Sequence, residues 1–293
     1  MEVFVQQVMS GLATGAIYAS LALALVMIYQ ATDVVNFAQG EMAMFATYLA
    51  WTMINAGMPY PLAFLATIVI SFVGGVLIQR VIIRPVESAP ILTIVIVTLG
   101  LLVIFNSIAG WIWTYLQKPF PSPFPREPFR LGGIVFGAHD MGEIGVTLVM
   151  LALLFMFFRY TPIGLAMRAA AQNPVSSRLA GIRVGWMLAL GWGLASVFGA
   201  VAGLMVAPIL TLDPNMMGGI QIYAFAGATL GGFSSPVGAV VGGLIVGVTE
   251  NLVGTYVKFI GTELKLTVAL AMIIVVLLVK PSGLFGRTHA RRV

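Results

Sequence analysis

The feature that most constrains the fold is a series of long apolar runs separated by short polar connections. A helix that spans the hydrocarbon core of a bilayer needs about 20 predominantly apolar residues. Only 9% of the residues are charged, whereas soluble domains carry about a quarter. The sequence therefore predicts an all-α polytopic membrane protein, a single transmembrane domain over residues 1–293 with about eight hydrophobic segments. The segments cover residues 5–29, 42–56, 62–83, 91–113, 144–158, 186–207, 222–254 and 264–279.

The basic residues predict which connections face the cytoplasm, because cytoplasmic loops are enriched in lysine and arginine. Residues 159–185 carry four arginines and no acidic residue, and residues 280–293 are also basic without an acid. Both segments are therefore expected inside. Residues 114–143 balance the two signs of charge and are rich in proline, which favours an extended extracytoplasmic loop. This distribution explains the net charge of +5 without nucleic-acid binding, and it leaves the side of the N-terminus open.

Two interruptions of apolar sequence predict broken or re-entrant helices. If residues 159–185 and 280–293 are both inside, the run at 222–254 must enter and leave by the same side, which favours two half-length helices meeting at residues 231–236. A single kinked helix, with an additional crossing elsewhere, is the alternative. A similar break near residues 30–41 suggests a diverged internal repeat. Broken backbone at membrane depth needs surrounding protein or a water-filled cavity, so both breaks are expected near a transport route.

Polar residues near the breaks are candidates for lining a pathway, because burying polar groups within a membrane is energetically costly and often serves a function. Structural roles compete with this interpretation. Glu41 begins a helix, where its charge is favourable against the helix dipole, and Glu250 with Asn251 fits the water interface better. The pathway candidates are Asp33, Asn36, Gln39, Glu41, Gly231, Gly232, Ser234, Ser235, Glu250 and Asn251.

Glycines recur at a spacing of four residues, as in the pairs Gly11 with Gly15 and Gly243 with Gly247. This spacing places small residues on one helix face and lets two backbones approach closely in a bilayer. Close helix packing is the favoured interpretation over a direct functional role.

The basic segment 159–185 contains the start signals of two short helices. Thr161 precedes Pro162 and Asn173 precedes Pro174, and each pair fits a capping residue followed by proline at the first helical position. Arg168 and Gln172 lie four residues apart, beside small alanines that permit close docking. The segment is interpreted as a docking element for a soluble partner, and contact with anionic lipid is the alternative.

Several function classes lack the residues that they need. The chain has no cysteine and only two histidines, and it contains no nucleotide-binding GxxxxGK[ST], HExxH or GxSxG motif. The sequence thus predicts no catalytic residues, no metal and no cofactor. If transport is active, the energy must come from ions or from another subunit.

Several motifs in order along the chain resemble the LivH-type permeases, which are membrane subunits of bacterial branched-chain amino acid ABC importers. The resemblance runs nearly end to end, although no single motif decides it. It is carried by Gly15-Ala16-Ile17-Tyr18-Ala19, Asn36-Phe37-Ala38-Gln39-Gly40-Glu41, Arg84-Pro85, Thr161-Pro162-Ile163-Gly164, Ala180-Gly181-Ile182, Gly231-Gly232 to Pro236-Val237-Gly238, and Pro281-Ser282-Gly283-Leu284-Phe285-Gly286.

The resemblance implies a multi-pass permease of the bacterial inner membrane that is not itself an enzyme. Its implied partners are a second homologous permease, two cytoplasmic ATPase subunits and an extracytoplasmic substrate-binding protein. The implied cargo is a branched-chain or other hydrophobic amino acid; urea or a short amide is the closest alternative, and ion-coupled secondary transport is a more distant one. The coupling element that the resemblance assigns comprises Thr161, Gly164, Met167, Arg168, Ala169, Gln172, Asn173, Ala180 and Gly181.

Overall fold

Helices follow one another along almost the whole chain in the computed structural model, which describes residues 2–125, 127, 129–131, 134–259, 261 and 264–286. Among these residues, six helices are long and apolar enough to span a membrane, so the prediction of an all-α membrane fold is confirmed. The helices are α1 (Glu2–Thr32), α2 (Gln39–Asn55), α3 (Tyr60–Ile78), α4 (Ile91–Trp113), α5 (Ala138–Tyr160), α6 (Pro162–Gln172), α7 (Pro174–Leu179), α8 (Val184–Leu210), α9 (Met216–Gly231), α10 (Pro236–Tyr256) and α11 (Lys265–Val279).

The connection between α4 and α5 is shorter than the loop predicted at residues 114–143. The proline-rich segment contains a small antiparallel hairpin of β1 (Phe129–Leu131) and β2 (Ile134–Phe136), with Phe129 opposite Phe136. Helix α5 begins at Ala138, inside the segment that the sequence assigned to the loop. Residues 287–293, which carry most of the basic tail, lie outside the described residues.

The chain forms two compact units, each assembled from separated stretches of sequence. The first comprises residues 1–26, 124–151 and 219–293, and the second comprises residues 27–123 and 152–218. In the second unit α8 is the central helix, because α2 and α3 both pack along it, and α4 packs on α2.

Close backbone packing in the first unit depends on the spaced glycines. A Cβ atom added to Gly11 would lie 2.6 Å from the Cα of Val248, and one added to Gly15 would lie 2.7 Å from the Cα of Leu244. A Cβ added to Gly243 would lie 2.7 Å from the Cα of Ala19. Helices α1 and α10 thus touch backbone to backbone, as the glycine spacing predicted.

In the second unit, a glycine likewise permits the close approach of α3 to α8. Gly75 faces the main chain of α8, where an added Cβ would lie 2.5 Å from the carbonyl oxygen of Trp192. The neighbouring Gly74 has nothing within 4 Å of the same added atom. One of two adjacent glycines is therefore required for the close approach of these helices, and the other is not.

The break at residues 231–236 separates two helices, but the prediction of two half-length helices is wrong for α10. Helix α10 has 21 residues, which at a rise of about 1.5 Å per residue matches a hydrocarbon core of about 30 Å. The sequence argument started the segment at residue 222 and ended it at 254, whereas α9 begins at Met216 and α10 ends at Tyr256.

The turn between α9 and α10 lies against the segment that follows α11. The N–H of Leu284 donates to the carbonyl of Leu230 at 2.7 Å, and the N–H of Phe285 donates to that of Gly231 at 3.0 Å. If the tail is cytoplasmic, as its charge predicts, this turn lies at the cytoplasmic end of the helices instead of at the middle of the bilayer.

Candidate functional site

The two short helices predicted in the basic segment are present and have the predicted caps. The Thr161 hydroxyl accepts a hydrogen bond from the N–H of Gly164 at 3.0 Å, and Pro162 is the first residue of α6. The Asn173 side chain accepts from the N–H of Ser176 at 2.9 Å, and Pro174 begins α7. Each cap satisfies a donor that the first helical turn leaves free, so both short helices have fixed starting points. We call α6 and α7 together the coupling element, after the role that the resemblance implies for them.

One face of α6 is buried and anchors the coupling element. Met167 and Ala170 are almost completely buried, and Ala170 packs with Val184 and Leu188 of α8. Gly164 lies so close to the end of α5 that an added Cβ would be 2.8 Å from the Cα of Phe158. Helix α6 therefore packs tightly against α8 and the end of α5.

Arg168 binds within the chain in this structure. Its guanidinium donates to the main-chain carbonyl of Phe158 at 2.6 Å, and the side chain is half-buried. A guanidinium that satisfies a free carbonyl at the C-terminal end of α5 is favourable against the helix dipole. Arg168 thus holds α6 against α5, whereas Gln172 on the same predicted face is exposed.

The outer face of the coupling element is apolar and exposed. Leu179 is 87% exposed, and Leu165 and Val175 are also largely exposed. Ala180 and Gly181 follow α7 at the surface, and Gly181 takes a left-handed φ of +81° that favours glycine at the end of a helix. Exposed apolar side chains on a short polar-flanked element are typical of a protein-binding surface.

The first break is held together by buried polar side chains. The Asn36 carboxamide oxygen accepts from the N–H of Ala38 at 3.0 Å, and its amide nitrogen donates to Gln39 at 3.2 Å. Gln39 in turn donates to the carbonyl of Ala195 in α8 at 3.0 Å. Both side chains are fully buried, so they fix the start of α2 on α8. Asp33, by contrast, is exposed.

A polar cluster in the second unit joins Glu41 to a residue that the sequence reasoning missed. The amide of Asn106, in α4, lies 3.4 Å from a Glu41 carboxylate oxygen and donates to the carbonyl of Pro214 at 2.8 Å. It also contacts the side chains of Asn215 and Tyr115. The signal for Asn106 is its position as a polar residue in the apolar run 91–113.

The candidates at the second break mainly shape the turn. Ser235 caps α10 by accepting from the N–H of Gly238 at 3.0 Å, and Ser234 is exposed. Gly231 and Gly232 are buried, and an added Cβ on Gly232 would lie 2.7 Å from the carbonyl oxygen of Ser282. Close approach of the chain segments explains both glycines without a ligand.

The Glu250 side chain is buried within the first unit, whereas the sequence argument favoured a position at the water interface. The side chain is only 8% exposed, and one carboxylate oxygen accepts from the Tyr18 hydroxyl at 2.5 Å. The other lies 3.6 Å from the ammonium of Lys265 at the start of α11. Because α10 continues to Tyr256, Glu250 lies inside the helix and within the first unit. Asn251, half-buried, bonds to Thr14 at 3.3 Å.

The candidates are divided between the two units. The first break lies in the second unit, and Glu250 with the second break lies in the first. Within the described part of the chain, no group of three or more histidine, cysteine or acidic side chains is arranged to hold a metal ion.

Comparison with known proteins assigns the chain to a family of transport proteins. A family model described as the permease component of the branched-chain amino acid transport system matches residues 7–277. The chain belongs to this permease family. The LivH high-affinity branched-chain amino acid permease of Salmonella typhimurium is 31% identical over 99% of this chain and 98% of its own length.

Two more relatives show the range of the family. BraD, a high-affinity branched-chain amino acid permease of Pseudomonas aeruginosa, is 28% identical over 99% of this chain and 98% of its own length. LsrC, an autoinducer 2 import permease of Escherichia coli, is 24% identical over 72% of this chain and 60% of its own length.

Membership confirms three sequence-based predictions. The chain is a multi-pass permease of the inner membrane, as its six apolar helices also indicate. It is a transport subunit and not an enzyme, since ATPase activity lies in separate subunits of such systems. As a permease component, it acts within a transporter complex.

Proposed function

We propose that this chain is the permease subunit of an ATP-driven importer for branched-chain or other hydrophobic amino acids, which an external binding protein delivers. The observation that carries this proposal is the coupling element, two capped helices with an anchored inner face and an exposed apolar outer face. A second homologous permease and two cytoplasmic ATPases complete the proposed complex. The names of LivH and BraD support the cargo.

Movement of the coupling element has a direct route into the bundle. Met167 and Ala170 of α6 pack on α8, and α8 carries α2 and α3 along its length. Closure of the ATPase dimer on ATP would push the exposed face, and α8 would transmit the displacement to its neighbours. The open and the closed ATPase dimer must make different contacts with this face. Otherwise ATP binding could not shift the conformational equilibrium of the permease, because an effector shifts an equilibrium only if it binds one state more tightly than the other.

The closest alternative cargo is urea or a short amide carried by the same machine. The relationship to LsrC, which is named for autoinducer 2 import, supports variation of cargo among related permeases. An ion-coupled carrier is less well supported, because the matching family model and LivH are both described as permease components of a transport system.

The first prediction tests the coupling face. We expect Leu179→Asp to lower both substrate-stimulated ATP hydrolysis and leucine uptake by about tenfold or more, since a charge at the centre of an apolar docking surface costs on the order of 2 kcal/mol. Both rates are measured with the reconstituted complex. Ser88→Asp adds the same charge at an exposed residue outside α6 and α7 and should leave both rates unchanged. Equal rates for Leu179→Asp and the unmodified complex contradict the proposed coupling role.

A further inference from the structure

A small cavity lies in the second unit beside the coupling element. Its volume is about 190 Å³, and its walls come from the end of α1, the segment between α3 and α4, and α4, α6, α7 and α8. A space of this size would hold about six water molecules at ~30 Å³ each, and it is smaller than the ~300–1,000 Å³ of sites for drug-sized ligands. The cavity therefore suits a ligand the size of a single amino acid.

Two deeply buried polar side chains line this cavity. Gln79 is 1% exposed and Trp192 is 2% exposed. Neither the amide nitrogen and oxygen of Gln79 nor the indole nitrogen of Trp192 has a hydrogen-bond partner among the described residues. A buried polar group left without a partner costs about 1–3 kcal/mol, so these atoms favour a ligand that supplies both acceptors and a donor.

The backbone at Gln79 is also unusual. Gln79 begins a π-helical turn, Gln79–Ile83, between α3 and a 3₁₀ turn at Arg84–Val86. Single π-helical turns are frequently found at functional sites. The irregular turn and the unpartnered amide therefore lie at the same wall of the cavity.

The remaining walls define the chemistry of the ligand. Glu87 lines the cavity, is half-buried and forms no ion pair within the described part of the chain. A carboxylate in this position favours a cationic group such as a primary ammonium. Ile83, Ile94 and Leu188 line the cavity with aliphatic surface. A free aliphatic α-amino acid has a matching ammonium, carboxylate and side chain.

We propose that this cavity binds a free aliphatic α-amino acid from the cytoplasm and that occupancy slows import. The ammonium pairs with Glu87 and the Gln79 carbonyl, and the carboxylate accepts from the Gln79 amide and the Trp192 indole. Ala170, Ala171 and Pro174 of the coupling element form part of the wall, so a bound ligand contacts that element directly. The choice of an amino acid as the regulator rests on the proposed function.

The second prediction is direct binding. Equilibrium dialysis of radiolabelled leucine against the full chain in nanodiscs, without ATPases or binding protein, should show one saturable site per chain. Gln79→Leu and Glu87→Gln should each weaken binding by about tenfold, the size of one charge-assisted hydrogen bond. Ser71→Ala is the matched control, because Ser71 is buried and unpartnered in α3, just before the turn that holds Gln79, but does not line the cavity.

Two results overturn this proposal. One is the absence of saturable leucine binding by the folded chain, which leaves water as the only occupant. The other is leucine binding that is unchanged in both cavity variants. Glu87→Gln removes a charge at a half-buried position and keeps the test decisive if Gln79→Leu does not fold.

Proteoliposomes of the whole complex, with ATP in the lumen, separate this proposal from the proposed function. Leucine uptake into vesicles without luminal leucine tests the cargo alone. Luminal leucine should then slow the initial rate of uptake for the unmodified complex and much less for Glu87→Gln. Normal uptake with no effect of luminal leucine contradicts the regulatory site and leaves the proposed function intact. No leucine uptake at all contradicts the cargo, while the dialysis result still decides the cavity.

Discussion

At the scale of single residues, buried polar side chains in this chain connect elements within each unit. Tyr18 combines a 2.5 Å hydrogen bond to Glu250 with a parallel stack on Tyr223, whose ring centroid lies 4.5 Å away. Lys265 supplies the opposite charge 3.6 Å from the same carboxylate. A carboxylate taken out of water needs such partners, since an unpaired buried charge is strongly destabilising.

The third prediction concerns the Tyr18 hydroxyl. We expect Tyr18→Phe to destabilise the chain by about 1–2 kcal/mol, because Glu250 loses a charge-assisted bond while the aromatic stack remains. The measurement is thermal unfolding of the detergent-solubilised protein, read as a lower midpoint temperature. Tyr256→Phe is the control, since the Tyr256 side chain is mainly exposed on α10. An unchanged midpoint for Tyr18→Phe shows that the bond does not contribute.

At the scale of helices, small residues decide which elements meet. Gly75 lets α3 approach α8, and Gly11, Gly15 and Gly243 let α1 approach α10. Helix association in a bilayer lacks the hydrophobic driving force that operates in water, so close van der Waals packing must supply much of the stability.

The fourth prediction compares two adjacent glycines. Gly75→Ala should lower the thermal unfolding midpoint, because the new methyl group would lie 2.5 Å from the Trp192 carbonyl oxygen and must push α3 from α8. Gly74→Ala should leave the midpoint unchanged or slightly raised, since nothing lies within 4 Å and alanine favours the helix. Equal effects of the two substitutions contradict the close-packing explanation.

The helical segments and the capped coupling element were predictable because local rules dominate there. Apolar length defines a span, and Thr161 and Asn173 carry their caps in the sequence itself. The turn between α9 and α10 was also predicted, at residues 231–236. The start of α9 at Met216 and the end of α10 at Tyr256 were not, because apolar composition alone does not mark where a helix begins or ends.

The polar residues were harder to assign, because a polar residue in an apolar run signals only that some partner exists. The side chains of Asn36 and Gln39 form hydrogen bonds within the fold. The Gln79 side chain, in contrast, lines a cavity without a hydrogen-bond partner in the described structure. The partner depends on which helices pack together, and no spacing along the chain encodes that.

At the scale of the whole molecule, the chain is a permease whose proposed motor belongs to other subunits. Among its described residues six helices are able to span a membrane, and its membership in the branched-chain amino acid permease family places it in a transporter complex. The exposed apolar face of the coupling element is the surface at which we expect nucleotide-driven movement to arrive.

The fifth prediction tests this central claim most directly by comparing leucine uptake for the chain alone and for the assembled complex. Proteoliposomes with the second permease, the ATPases, the binding protein and luminal ATP should accumulate radiolabelled leucine against its gradient. Vesicles that hold only this chain should show no uptake above that of protein-free vesicles. Leucine accumulation by the chain alone, or by the complete complex without ATP, would contradict the account.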